Sequence, residues 1–192
     1  EGQGLAAETL HPPQISRPKT RIRASLRAAR LGDQFKLGFS SAGSHRIVDL
    51  KQCEIMAPEL FALLAPLRAF LKNASRRKHD MNIEMTLVDQ GIDLLISNYE
   101  PEGLEQREAL SAFAQSNGLA RLSVDGGYGP ETQWEPEPVT VTLGGTPVAF
   151  PHSAFLQPTR EGQQVLVTAM REAVGEARIV ADLFAGLGTF TL

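Results

Sequence analysis

Gly186 and Gly188, in Ala185-Gly186-Leu187-Gly188-Thr189, carry the strongest chemical signal in the chain. They follow an apolar run, Arg178-Ile179-Val180-Ala181-Asp182-Leu183-Phe184. Glycines behind a buried strand let the backbone approach a nucleotide-like ligand, and a helix starting there offers it unpaired N–H groups. A merely structural turn is the plainer reading. The third glycine of a dinucleotide fingerprint would fall at position 191, which is threonine, and this counts against NAD and FAD. Cys53 is the single cysteine, so no internal disulfide forms and no multi-cysteine metal site can be built from this chain alone. Arg21, Arg23, Arg27 and Arg30 interleave with small and apolar residues, a pattern suited to phosphate contacts. His11, His45, His79 and His152 have no metal-ligand spacing and read as incidental.

The elements that must position these residues follow from periodicity. Thr20 to Leu31 reads as a strand with one basic face, and Gln34–Ser40 and Arg46–Leu50 as further strands around a small-residue loop. Leu60, Leu63, Leu64, Leu67, Phe70 and Leu71 repeat at helical spacing after Pro58, with Pro66 a possible kink. Arg76-Arg77-Lys78-His79 reads as a basic turn. Asn82–Val88 and Ile92–Ser97 flank Asp89-Gln90-Gly91 as a hairpin, and Leu104–Asn117 is a helix ended by Gly118. Ala120–Val124 is a strand, and Gly126 to Pro130 a loop. A second hairpin spans Val139–Leu143 and Pro147–Phe150, followed by a helix over Glu161–Val174 and a buried strand over Ala177–Phe184.

Two segments raise the specificity of this reading. Ser153-Ala154-Phe155-Leu156-Gln157-Pro158-Thr159, a helix, a strand and Asp182-Leu183-Phe184-Ala185-Gly186-Leu187-Gly188-Thr189-Phe190-Thr191-Leu192 follow one another near the end. Far upstream lie Leu37-Gly38-Phe39 and Ile47-Val48-Asp49-Leu50-Lys51-Gln52-Cys53-Glu54-Ile55. In this order the chain resembles the RNA uracil-5-methyltransferase family of bacterial rRNA and tRNA enzymes, over about half its length. The resemblance implies an α+β central domain with a mainly antiparallel sheet, followed by the first strand and glycine turn of a Rossmann-like class I methyltransferase domain. It implies three regions: a linker over 1–16, the central domain over 17–150, and the start of the methyltransferase domain over 151–192. Both ends read as cut from a longer polypeptide, since residue 1 is Glu and the last residues leave a glycine turn.

The family's site residues carry over position by position. Gln157 and Phe184 match residues at the S-adenosylmethionine site, and Gly186, Gly188 and Thr189 match its donor loop. Outside the resemblance, Gln157 would read as a solvent-facing loop residue and Phe184 as a core aromatic. Thr159 and Thr189 replace asparagines and Ala185 a cysteine, so one donor contact at Thr189 is in doubt. Cys53 matches the fourth ligand of a 4Fe-4S cluster that some members carry; its three companions are absent here. The reaction implied is addition of a cysteine thiolate to carbon 6 of uracil, methyl transfer to carbon 5, and removal of its proton by a base. The resemblance places both groups beyond Leu192, so the chain by itself is expected to be catalytically inert.

Charge and composition agree with an RNA partner. Residues 1–78 hold 14 Lys/Arg against 6 Asp/Glu, while 79–192 hold 5 against 16, within a net charge of -3. An anion-facing first half suits nucleic acid, rRNA or tRNA, and Arg21, Arg23, Lys36 and Arg46 are the candidate phosphate contacts. No apolar run spans a bilayer and no signal peptide opens the chain, so the expectation is a cytoplasmic, monomeric protein without membrane contact. Two alternatives remain open at this point: a non-catalytic RNA-binding module and a dinucleotide oxidoreductase.

Overall fold

Strand β1 (Arg23–Leu31) buries Ala24, Leu26 and Ala28 on one face and turns Arg23, Ser25 and Arg27 to the other. This is the period-two pattern of a half-buried strand. The computed structural model describes residues 10–32, 34–41, 43–44, 46–74 and 80–192. The basic turn expected at Arg76–His79 lies outside the described residues, as do most of the linker and His45.

Seven strands form one sheet, with β2 (Gln34–Ser40), β3 (Ile47–Asp49), β4 (Met81–Val88), β5 (Gly91–Ser97), β6 (Leu119–Asp125) and β7 (Glu131–Trp134) joining β1. The order is β3-β2-β1-β4-β5-β6-β7, and only β5 and β6 run parallel. Helix α2 (Gly103–Ser116) makes the crossover that a parallel pair requires. Helix α1 (Pro58–Ala74) and α2 cover one face, where Leu60, Leu64, Leu67, Leu110, Phe113, Ile83, Leu94 and Leu122 share the main core. A small hairpin, β8 (Thr140–Leu143) and β9 (Thr146–Ala149), turns through Gly144 and Gly145 at φ +54° and +85°. Two consecutive left-handed residues suit a tight hairpin, and glycine adopts them without strain.

Helix α1 continues through Pro66. An interior proline costs about 3 kcal/mol, but five leucines of the same stripe are buried, each contributing roughly 1.5–3 kcal/mol. Burial outweighs the lost hydrogen bond. Arg68 of α1 donates to the carbonyls of Leu50 (3.0 Å), Leu37 (3.3 Å) and Phe35 (3.4 Å) and pairs with Asp49. Burial alone would raise the Asp49 pKa, but hydrogen bonds from Arg68 and the Leu37 N–H, with the nearby Arg68 and Lys51 charges, hold it below its ordinary value.

The sheet is the mixed, mainly antiparallel one expected for the central region. One strand is not anticipated from the sequence, and one that is anticipated is not formed. Strand β7 is absent from the sequence reading because Glu131-Thr132-Gln133-Trp134 is short and half exposed, as edge strands are. The strand expected over Ala177–Phe184 is not formed: these residues pair with no strand, and Ile179, Val180, Leu183 and Phe184 are exposed. A strand exists through its ladder, and none of the described strands pairs with this run. Helix α3 (Arg160–Val174) stands before it with Val165, Leu166 and Met170 exposed.

Candidate functional site

The two segments that carry the sequence signal meet at the entry of β1. The Arg21 N–H donates to Ile55 O and the Ala57 N–H to Arg21 O, both 2.9 Å. On the other side the Ile22 N–H donates to Pro158 O at 2.9 Å. Arg21 thus bridges Met56 in parallel and Thr159 in antiparallel fashion. The loop after Cys53 and the segment holding Gln157, over a hundred residues apart, are stitched to one dipeptide. Arg17 adds a clamp below, its N–H donating to Glu161 Oε2 at 3.0 Å with the guanidinium paired to the same carboxylate. The backbone and side-chain hydrogen bonds from Arg17 hold Glu161 below its ordinary pKa.

Thr159 caps α3, its Oγ1 accepting the Gly162 N–H at 3.0 Å. Ser153 turns the chain at φ +55°. Leu156 is buried, and Gln157 beside it is half-buried. Phe155 is 66% exposed, with the Arg23 guanidinium 5.5 Å from its ring centroid. His152 reaches under the segment, its Nε2 2.9 Å from Ser123 Oγ and 3.3 Å from Thr132 Oγ1. Burial and the Arg121 cation lower its pKa, against the opposing carboxylates of Asp93 and Glu135.

The glycine turn packs close by. Leu187, Ala154 and Leu156 belong to one small apolar cluster, built with Val88, Val139, Val141, Leu143 and Phe150 on the sheet face opposite the helices. Gly186 (φ +60°) and Gly188 (φ +85°) hold left-handed conformations, and a Cβ on Gly186 would meet nothing within 4 Å. The backbone there is open to a ligand, as close approach requires. Thr191 Oγ1 donates to Asp182 Oδ2 at 2.7 Å, and Thr189 is half-buried. Phe184 is fully exposed at φ +63°. The structure therefore brings the Gln157 segment and the glycine turn onto one platform, and leaves Phe184 outside it.

The basic residues divide differently. Strand alternation puts Arg23, Arg27 and Lys36 on the face opposite the helices, with Arg27 paired to Asp80. Arg21 sends its Nε to Arg23 O at 3.0 Å. Arg46 is exposed before β3. Arg21 and Arg23 thus adjoin the Gln157 segment, whereas Lys36 and Arg46 do not share that neighbourhood. Cys53 is half-buried, and its Sγ accepts the Met56 N–H at 3.4 Å. A 4Fe-4S cluster needs four thiolates; the chain has one, and the described residues contain no group of three or more metal-ligating side chains. These residues alone do not fit such a cluster. His152, read from the sequence as incidental, meets Ser123 of β6 and Thr132 of β7, partners that nothing in the adjacent sequence reveals.

No protein-family model matches the chain. An uncharacterized RNA methyltransferase of Zymomonas mobilis is 49% identical over 190 residues, covering 99% of this chain and 48% of that protein. One of Brucella suis is 34% identical over 192 residues, covering 45% of its length. The 23S rRNA (uracil(1939)-C(5))-methyltransferase of Edwardsiella ictaluri is 35% identical over 176 residues, 86% of this chain and 40% of that enzyme. In fold, the chain is similar to the tRNA (uracil-54, C5)-methyltransferase of Pyrococcus abyssi, solved with S-adenosyl-L-homocysteine, at TM-score 0.67 and 15% identity over 93% of this chain and 46% of that one. Spanning about half the length of the curated relatives it matches, the chain is homologous to RNA methyltransferases, a 23S rRNA uracil-C5 enzyme among them.

Proposed function

We propose that this chain is the central portion of an enzyme that transfers a methyl group from S-adenosylmethionine to carbon 5 of a uridine in cytoplasmic rRNA or tRNA. The observation that supports this reading is the shared apolar platform, on which Leu156, next to Gln157, and Leu187, between Gly186 and Gly188, both pack. Gln157 offers an amide that both donates and accepts, and the turn offers open backbone. Phe184 offers an exposed aromatic face. The donor supplies an electrophilic methyl on a sulfonium; these residues bind and orient it. Arg21, Arg23, Lys36 and Arg46 would hold RNA phosphates by charge, Arg21 and Arg23 next to the donor segment.

The chain alone is proposed to be inert. Carbon 5 of uracil becomes nucleophilic only after a thiolate adds to carbon 6. The one thiol here, Cys53, packs against the α1 core and is bonded by Met56. It is better suited to join three further thiols from outside these 192 residues in holding a cluster, which iron and sulfide content of the enzyme-length protein would test.

The decisive experiment follows labelled methyl from S-adenosylmethionine into unmodified RNA, with the enzyme-length protein and this chain side by side. Label in uracil from the first and none from the second is expected. Turnover by this chain would overturn its proposed inertness. Salt-sensitive RNA binding by the enzyme-length protein without donor affinity would instead favour a non-catalytic RNA-binding module.

A further inference from the structure

Ser123 lies on the sheet face opposite the helices with its hydroxyl sealed from water. Its polar neighbours are His152 Nε2 at 2.9 Å and Thr132 Oγ1 at 3.4 Å. His152 also lies 3.3 Å from Thr132. One imidazole therefore ties β6 and β7 to the chain just where it leaves the β8–β9 hairpin and enters residues 153–159. A buried hydroxyl without a partner is disfavoured, so the sheet holds the imidazole in place as firmly as the imidazole holds the loop.

We propose that His152 is a positioning residue for the donor segment, a latch that fixes residues 153–159 on the sheet so that Gln157 is presented in one orientation. The geometry gives it leverage. Ser153 follows at once in a left-handed turn, Leu156 is anchored in the small core, and Pro158 is anchored to Ile22. His152 and Leu156 thus pin the loop at one end and Pro158 at the other, and Gln157 lies between the last two anchors. The charged groups facing the ring are Arg121 of β6, Asp93 of β5 and Glu135 after β7. Arg121 and Asp93 neutralise each other through a bidentate pair, with Nε–Oδ1 at 2.8 Å and Nη2–Oδ2 at 2.9 Å. A neutral imidazole completes this arrangement, whereas an imidazolium would be an added, partly desolvated cation beside Arg121. The latch should therefore loosen as pH falls below about 6.5, where a released histidine gains its proton.

The functional consequence rests on the reading of Gln157 as a donor contact, so the test separates the two. Hydrogen exchange of residues 153–159 is measured in this chain as wild type, His152→Ala, His152→Gln, Ser123→Ala and Thr132→Val. Loss of one such hydrogen bond should speed exchange there by roughly five- to tenfold, with α1 and β1 unchanged and His152→Gln partly rescued. In the wild type, exchange corrected for its intrinsic pH dependence should rise below about pH 6.5 in these residues only. If His152→Ala does not fold, the Ser123 and Thr132 variants and the wild-type pH series still decide. Unchanged exchange in 153–159 across the folded variants and the pH series overturns the latch. Donor affinity is then measured in the enzyme-length protein. A KM for S-adenosylmethionine raised by both His152→Ala and Gln157→Ala, with kcat little altered by the histidine change, supports the whole proposal. Faster exchange with no effect of Gln157→Ala on donor affinity keeps the latch and overturns the donor reading. An effect of Gln157→Ala alone overturns the role of His152.

Discussion

Asp93 and Arg121 face each other across β5 and β6, with side chains only 7% and 5% exposed. Both oxygens of the carboxylate are engaged, so the pair is satisfied where it stands. Its removal is asymmetric in energy. Arg121→Ala leaves a carboxylate buried without its partner, a loss expected to reach about 3–5 kcal/mol. Replacing both residues by apolar side chains of similar volume removes the unpaired charge along with the pair and should recover most of that loss. Urea unfolding of the single and double variants checks this, and equal destabilisation by both would contradict it. The same pair lies beneath His152, so the double variant should also alter the local pH response of residues 153–159.

At the scale of elements, the edge of the sheet depends on one glycine. A Cβ on Gly38 would lie 1.9 Å from Val48 O on the neighbouring strand, a distance no side chain can occupy. Gly38 pairs with Asp49, the residue that Arg68 holds to α1. Gly38→Ala must therefore push β3 away from β2 and strain the Arg68 clamp. A cost of about 1–3 kcal/mol or more is expected, with amide exchange rising at Ile47–Asp49 before it rises in β4 or β5. Uniform loss of protection throughout the sheet would show that β3 does not move separately. The loop that follows β3 carries Cys53, so this edge also sets where that thiol sits. Helix α3 is the opposite case: its cap is sound, but its apolar stripe is exposed, and most helical stability in proteins comes from packing such a stripe.

The whole molecule has two apolar clusters of unequal size. The larger joins β1, β2, β4, β5 and β6 to α1 and α2; the smaller joins the β8–β9 hairpin to Val88, Ala120, Phe150, Leu156 and the glycine turn. Fewer buried side chains leave the smaller cluster with less free energy against opening. Exchange of β8 and β9 amides is therefore expected through a sub-global opening well below the free energy that protects β4 and β5. Val141→Ala should lower protection in β8, β9 and residues 153–157 together while sparing α1. A single opening free energy for both clusters would refute this. Residues 154–156 and Leu187 of the glycine turn both rest on the smaller cluster, so under the proposed donor reading a bound donor is expected to stabilise this part of the fold most.

The sequence by itself determined what depends on near neighbours. Helices α1, α2 and α3, the two hairpins and the strands β1–β6 were legible because their apolar periods, turn glycines and caps act within a few residues. The resemblance to RNA methyltransferases was legible because Phe155–Thr159, Asp182–Leu192 and Lys51–Ile55 keep their order. Tertiary structure alone decided which distant groups meet. Nothing local brings Arg21 between Met56 and Thr159, sets Arg23 against Phe155, or joins His152 to Ser123 and Thr132, because each contact depends on strand order. The run Ala177–Phe184 makes the same point in reverse. Its apolar residues have the composition of a buried strand, yet a strand needs a neighbour to accept and donate its hydrogen bonds, and among the described residues it has none.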